Sequence, residues 1–213
     1  MRQAIRLLLR ISLILTFLSI GFGFAGYLLA EYSTNLAGKN KKPIIILVRP
    51  GDGDNSISWE LYRHKIISTR AQYFIAKYST WKPFIPKIGE YKIPAYSTLS
   101  QAMDILHSGV SLQHKLTFPE GLTSKKIINL LNNAPYMKEQ IFVIPEEGSL
   151  FPDTYFYTRD MSRHNILDRA SQKFDLTLAE LWADRAANLP LKSPNEAVIL
   201  ASIVEQETSK SAE

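Results

Sequence analysis

Behind three arginines, Arg2, Arg6 and Arg10, lies an uncharged run from Ile11 to Ala30, rich in Ile, Leu, Phe and small residues. As a helix rising about 1.5 Å per residue it would be about 30 Å long, the thickness of a hydrocarbon core, and would satisfy its own backbone hydrogen bonds. The run therefore reads as a transmembrane helix over 11–30. Arginines before it and none immediately after put residues 1–10 in the cytoplasm and the bulk of the chain outside, single-pass in the inner (plasma) membrane. Two other readings of the run compete. One is a signal peptide cleaved before Glu31, although such apolar regions usually run about 7–15 residues. The other is a helix buried in a soluble core.

About 180 residues follow, enough for one medium domain or two small ones with cores of their own. Of the 25 basic residues three precede the apolar run, which leaves 22 against 20 acidic ones and a nearly neutral exported part. Without a basic stripe or interleaved aromatics, no nucleic-acid partner is expected. With no cysteine, the chain can form no disulfide, thiolate nucleophile, thiolate metal site or lipidated Cys anchor. His64, His107, His114 and His164 lack metal-ligand spacing, Ser149, Ser202 and Ser211 lack a nucleophile elbow, and Pro50-Gly51-Asp52-Gly53 reads as a turn rather than a phosphate loop. Neither metal nor cofactor is expected. There is no internal repeat.

Residues 31–43, with Lys39, Lys41 and Lys42, read as a solvated linker. Ile44 to Val48 has the composition of a buried strand. Helices are expected from Ser58 and after Ser68 or Thr69, a second strand over Gly89 to Ile93, and a helix capped by Ser97 and ended by Gly109. These elements form a compact α+β unit over 44–110. A second unit opens with a strand at Leu116 to Phe118 and a helix capped by Thr123 or Ser124. From Ile144 an ordered, aromatic-rich loop is expected, with Phe151, Tyr155, Phe156 and Tyr157 among Pro145, Gly148 and Pro152. An amphipathic segment over 165–187, interrupted near Asp175-Leu176-Thr177, precedes a last helix that begins at Ser193-Pro194.

On that last helix Glu205 and Glu207 fall at opposite margins of a face made by Ala197, Leu200, Ala201, Ile203 and Val204. A carboxyl half-buried there would have a raised pKa and suit a general acid; both carboxyls snorkelling into water is the plainer alternative. Two residues apart on one helix, the pair cannot face each other across a substrate.

Three stretches read together resemble the MltG, or YceG-like, family of endolytic murein transglycosylases. They are Phe118-Pro119-Glu120-Gly121-Leu122-Thr123, Glu147-Gly148-Ser149-Leu150-Phe151-Pro152-Asp153-Thr154-Tyr155, and Ile199-Leu200-Ala201-Ser202-Ile203-Val204-Glu205-Gln206-Glu207-Thr208. The resemblance implies an α+β fold: an N-terminal transmembrane helix, a LysM-like module over 44–110, then a mostly helical catalytic domain beginning at 114. It implies a lytic transglycosylase that cleaves the MurNAc–GlcNAc β-1,4 bond of peptidoglycan without water and leaves 1,6-anhydro-MurNAc ends. Glu205 matches the family's catalytic glutamate, which acts as both acid and base. Phe151, Asp153 and Tyr155 either border the glycan groove or form a structural turn with core aromatics. Peptidoglycan strands, the membrane and cell-wall synthesis proteins are the implied partners. The family continues into Asn-Arg-Leu, Asp-Pro-Thr and Pro-Tyr-Asn-Thr-Tyr runs, whereas this sequence ends at Glu213, so an incomplete, C-terminally truncated catalytic domain over 114–213 is expected. A noncatalytic anchored module that binds glycan or a protein partner is the competing class.

Overall fold

The computed structural model describes residues 2–79 and 84–210. Met1, the first residue of the expected cytoplasmic segment, and 211–213, the last of the expected catalytic domain, lie outside the described residues, as do 80–83. The chain divides into two units, Met1–Leu112 and Gln113–Glu213.

The first unit begins with α1 (Arg2–Thr34), a single helix in which Ser12–Thr34 is long and apolar enough to cross a membrane. It extends past the apolar run because nothing before Asn35 breaks it. The stretch expected to be a solvated linker keeps Lys39, Lys41 and Lys42 exposed but is bonded into the unit at its far end. Ala37 bridges to Thr98, the Gly38 N–H donates to Ser97 O at 3.0 Å, and the Lys39 N–H donates to Lys65 O at 2.7 Å. The Asn40 side chain, 5% exposed, donates to Pro94 O at 2.7 Å. Gly38 is required there, since a Cβ would lie 2.6 Å from Ser97 O.

β1 (Ile44–Val48) and β2 (Gly89–Ile93) pair antiparallel, Ile46 opposite Tyr91 and Ile44 opposite Ile93. Alternation turns Ile46, Val48, Tyr91 and Ile93 into the core and leaves Ile45 outside. Between the strands lie α2 (Asp54–Arg63) and α3 (Arg70–Ser79). α2 starts four residues before the expected Ser58. Its first turn is polar and carries no apolar period, and it is held by α3: Tyr73 Oη donates to Asp54 Oδ1 at 2.7 Å and Lys77 Nζ to Asp54 Oδ2 at 2.5 Å. α4 (Leu99–Ser108) follows, with Gly109 as its left-handed C-cap. Its N-cap is Thr98 rather than Ser97, in a capping box with Gln101; the Ser97 hydroxyl donates to Pro94 O.

In the second unit β3 (His114–Thr117) pairs antiparallel with β4 (Thr154–Tyr157), Leu116 opposite Tyr155. β4 replaces part of the loop expected after Ile144. Its residues alternate, Tyr155 and Tyr157 buried and Phe156 exposed, a period of two that the surrounding prolines and glycine mask in the sequence. α5 (Ser124–Asn133), N-capped by Thr123, packs Ile127, Ile128 and Leu131 into a core shared with Phe118, Tyr155, Tyr157 and Ile166. α6 (Arg163–Ala183) runs unbroken through Asp175-Leu176-Thr177, where neither Gly nor Pro interrupts the ladder. α7 (Pro194–Lys210) is last.

Arg163, 7% exposed, joins α6 to α5. Its guanidinium donates to the carbonyls of Leu131, Asn132, Ala134, Met137 and Glu139 at 2.6–3.0 Å. Several of these carbonyls end α5, where intrahelical donors are lacking and the helix dipole is negative.

Candidate functional site

The connection from β3 to α5 and the turn over 146–149 are fastened to each other at the N-terminus of α5. The Ser124 N–H donates to Glu147 Oε2 at 2.8 Å, and the Ser124 hydroxyl donates to Glu146 O at 2.9 Å. A carboxylate on the first N–H groups of a helix is doubly favoured, by hydrogen bonding and by the dipole. Ser149 closes the turn, its hydroxyl donating to Glu146 O at 2.7 Å. Gly148 sits at φ +76, and a Cβ there would also lie 3.2 Å from Val198 Cγ1 on α7. The left-handed backbone favours glycine there, and the close approach of α7 makes the space for a larger residue tight.

From this turn the chain passes through Phe151, Pro152 and Asp153 into β4. The Phe118 N–H donates to Asp153 O at 2.9 Å, and the Phe118 and Tyr155 rings meet at 5.0 Å. Tyr155 is 4% exposed and its hydroxyl donates to Phe151 O at 2.7 Å; burial pushes the phenol up to about 12. Phe151 and Asp153 are half-buried. Lys173 on α6 ion-pairs with Asp153 and stands over the Phe151 ring, 4.9 Å from its centre. The Lys173 hydrogen bond, with one from the Thr154 N–H at 2.6 Å, holds the Asp153 carboxyl below its usual range. Of the three residues expected near a glycan, Tyr155 thus supports the turn from beneath, while Phe151 and Asp153 reach the surface.

The last helix carries the candidate acid. Val198, against Gly148, and Glu205 are seven residues apart, about two turns, so they share one face of α7 with Glu205 about 10 Å further along the axis. Of the two readings of these acids, half-buried or snorkelling into water, the structure has the second: Glu205 and Glu207 are both exposed. The reason lies in their neighbours. Ile199, Leu200, Ile203 and Val204 are themselves about half exposed, so among the described residues that face is not covered by a packed element.

Three separated segments therefore converge in one unit: the β3–α5 connection, the turn from Glu147 to Tyr155, and α7. The sequence marks each segment but not their fastening. Glu147 as a helix cap and Arg163 as a carbonyl clamp carry no local sequence signal, because both act on backbone groups distant in the chain. Among the described residues no group of three or more His, Asp or Glu is placed to hold a metal.

A comparison with protein families matches residues 46–213 to the YceG-like family. A search of curated proteins gives no match. Among solved structures, the chain is similar to a yceG-like protein from Listeria monocytogenes, with 21% identity and a TM-score of 0.35 over 67% of this chain. The chain spans 57% of the length of that protein.

Proposed function

This chain belongs to the YceG-like family, and on that premise we propose that it is a membrane-anchored endolytic lytic transglycosylase of peptidoglycan with Glu205 as its acid and base. α1 anchors it, N-terminus in the cytoplasm, with the chain that follows α1 outside. Residues 44–110 serve as a LysM-like module; the order β1–α2–α3–β2 with antiparallel strands supports that reading.

The observation that carries the proposal is the fastening of the β3–α5 connection, the turn over 146–149 and the start of α7, just before the third family-like stretch. Gly148 admits α7 against the turn that caps α5, and Glu205 extends from the same helix face. In the reaction the Glu205 carboxylic acid gives its proton to the oxygen linking MurNAc C1 to GlcNAc C4, and the C1–O bond breaks. The carboxylate then takes the proton of the MurNAc 6-hydroxyl as that oxygen bonds to C1. The proton returns, no water is consumed, and one acid suffices. A strand laid along α7 would exclude water from around Glu205. Phe151 offers a partly exposed ring for a sugar face, and Asp153 a fixed carboxylate for its hydroxyls.

The exposure of Glu205 and of the apolar residues around it favours a second reading, an anchored module that binds glycan or a cell-wall synthesis protein without cleaving. Purified sacculi digested with the full chain in detergent separate the two. Soluble fragments with anhydro ends, absent with Glu205→Gln, support the enzyme. Retention on sacculi without fragments supports the module.

A further inference from the structure

We propose that the part of the first unit that follows α1 is seated on the outer surface of the membrane through the exposed face of α3, rather than held away from it on a tether. The inference rests on the membrane-anchor reading of α1. Only Asn35 and Leu36 separate the end of α1 from the Ala37–Thr98 bridge, and the contacts of Gly38, Lys39 and Asn40 follow at once. Two extended residues reach about 7 Å. The headgroup layer on each side of a bilayer is itself about 5–8 Å deep. With the last helical residues of α1, 31–34, adding about 6 Å, the unit is held within about 13 Å of the hydrocarbon edge, on a leash too short to carry it far from the headgroups.

α3 is the element that lies against α1. Its inner side carries the buried Tyr73 and Ala76, while Ile75 and Tyr78, one turn apart, are 47% and 76% exposed. Tyr27, Leu28, Leu29 and Tyr32, over the last turns of α1, are exposed as well. An aliphatic side chain beside tyrosines at the mouth of an apolar helix is the composition of a membrane–water boundary. Lys39, Lys41, Lys42 and Lys65 are exposed around the join, where ammonium groups meet anionic lipid phosphates. The occupant of this surface is thus the bilayer that α1 crosses.

The absence of cysteine makes the test direct, since one introduced Cys carries the only spin label. The full chain is reconstituted in vesicles of phosphatidylcholine and phosphatidylglycerol with a nitroxide at Ile75→Cys, Tyr78→Cys, Val110→Cys or Leu18→Cys. Collision with oxygen is then compared with collision with a water-soluble nickel chelate. Val110 is the aqueous reference: exposed, and carried away from the join by α4, which is about 15 Å long. The labels at 75 and 78 should be protected from nickel several-fold relative to the label at 110. Nickel access equal to that at 110, with the label at 18 protected, would overturn the seating and leave the anchor standing. A label at 18 open to nickel would overturn both.

Discussion

Arg163 shows how much of the second unit depends on one side chain. Its planar fork donates to five carbonyls, of which Leu131 O also accepts from the Ala134 N–H, and truncation would remove all five of these bonds at once. Arg163→Ala should cost about 3–5 kcal/mol, measured by urea unfolding of the full chain in detergent. Arg163→Lys should recover only part of this, because an ammonium is a point donor with three hydrogens. Gly148→Ala should cost about 1–2 kcal/mol for the left-handed backbone alone, beyond its contact with Val198. Adding Val198→Ala should relieve the contact and leave the backbone cost, which unfolding of the single and double variants measures. Asp153 gives a pH dependence of defined sign. Its folded carboxyl titrates below the ordinary 3.8, so the Lys173 pairing contributes fully above that value and is lost as pH falls through the folded pKa. The wild-type advantage over Asp153→Asn should therefore hold near neutrality and vanish in strong acid.

At the scale of elements, legibility followed the period of the apolar residues. β1 and β2 were readable because five-residue runs lie between turn signals, and α5 because Thr123 precedes a clear helical stripe. β4 was not, since its alternation of Tyr155, Phe156 and Tyr157 uses aromatics on both faces, and only pairing with β3 tells the faces apart. The start of α2 was hidden because its first turn is held by polar bonds to α3, which have no local period. At α4 the sequence offers adjacent hydroxyls, and the choice of Thr98 depends on Gln101 lying three residues on. Thr98→Ala should cost about 1 kcal/mol, visible as a lower thermal midpoint. For the site, sequence could name Glu205 but not its surroundings: a helical wheel shows which margin an acid occupies, and only the packing of other elements decides whether that margin is dry.

For the whole molecule, each unit has its own core, centred on Leu61, Tyr73, Tyr91 and Leu106 in the first and on Phe118, Leu131, Tyr157 and Ile166 in the second. Leu61→Ala and Leu131→Ala should each cost about 2–5 kcal/mol, and calorimetry should assign them to different transitions. Membership of the YceG-like family and a helix fit to span a membrane frame a larger claim, that one glutamate cuts a sugar polymer without water. Digestion of sacculi in water enriched in oxygen-18, followed by mass spectrometry of the new MurNAc ends, tests this directly. The account predicts ends one water lighter than a hydrolytic end, free of heavy oxygen, and absent when Glu205→Gln replaces the wild type; ends that carry the label, or that form equally well with Glu205→Gln, would contradict it.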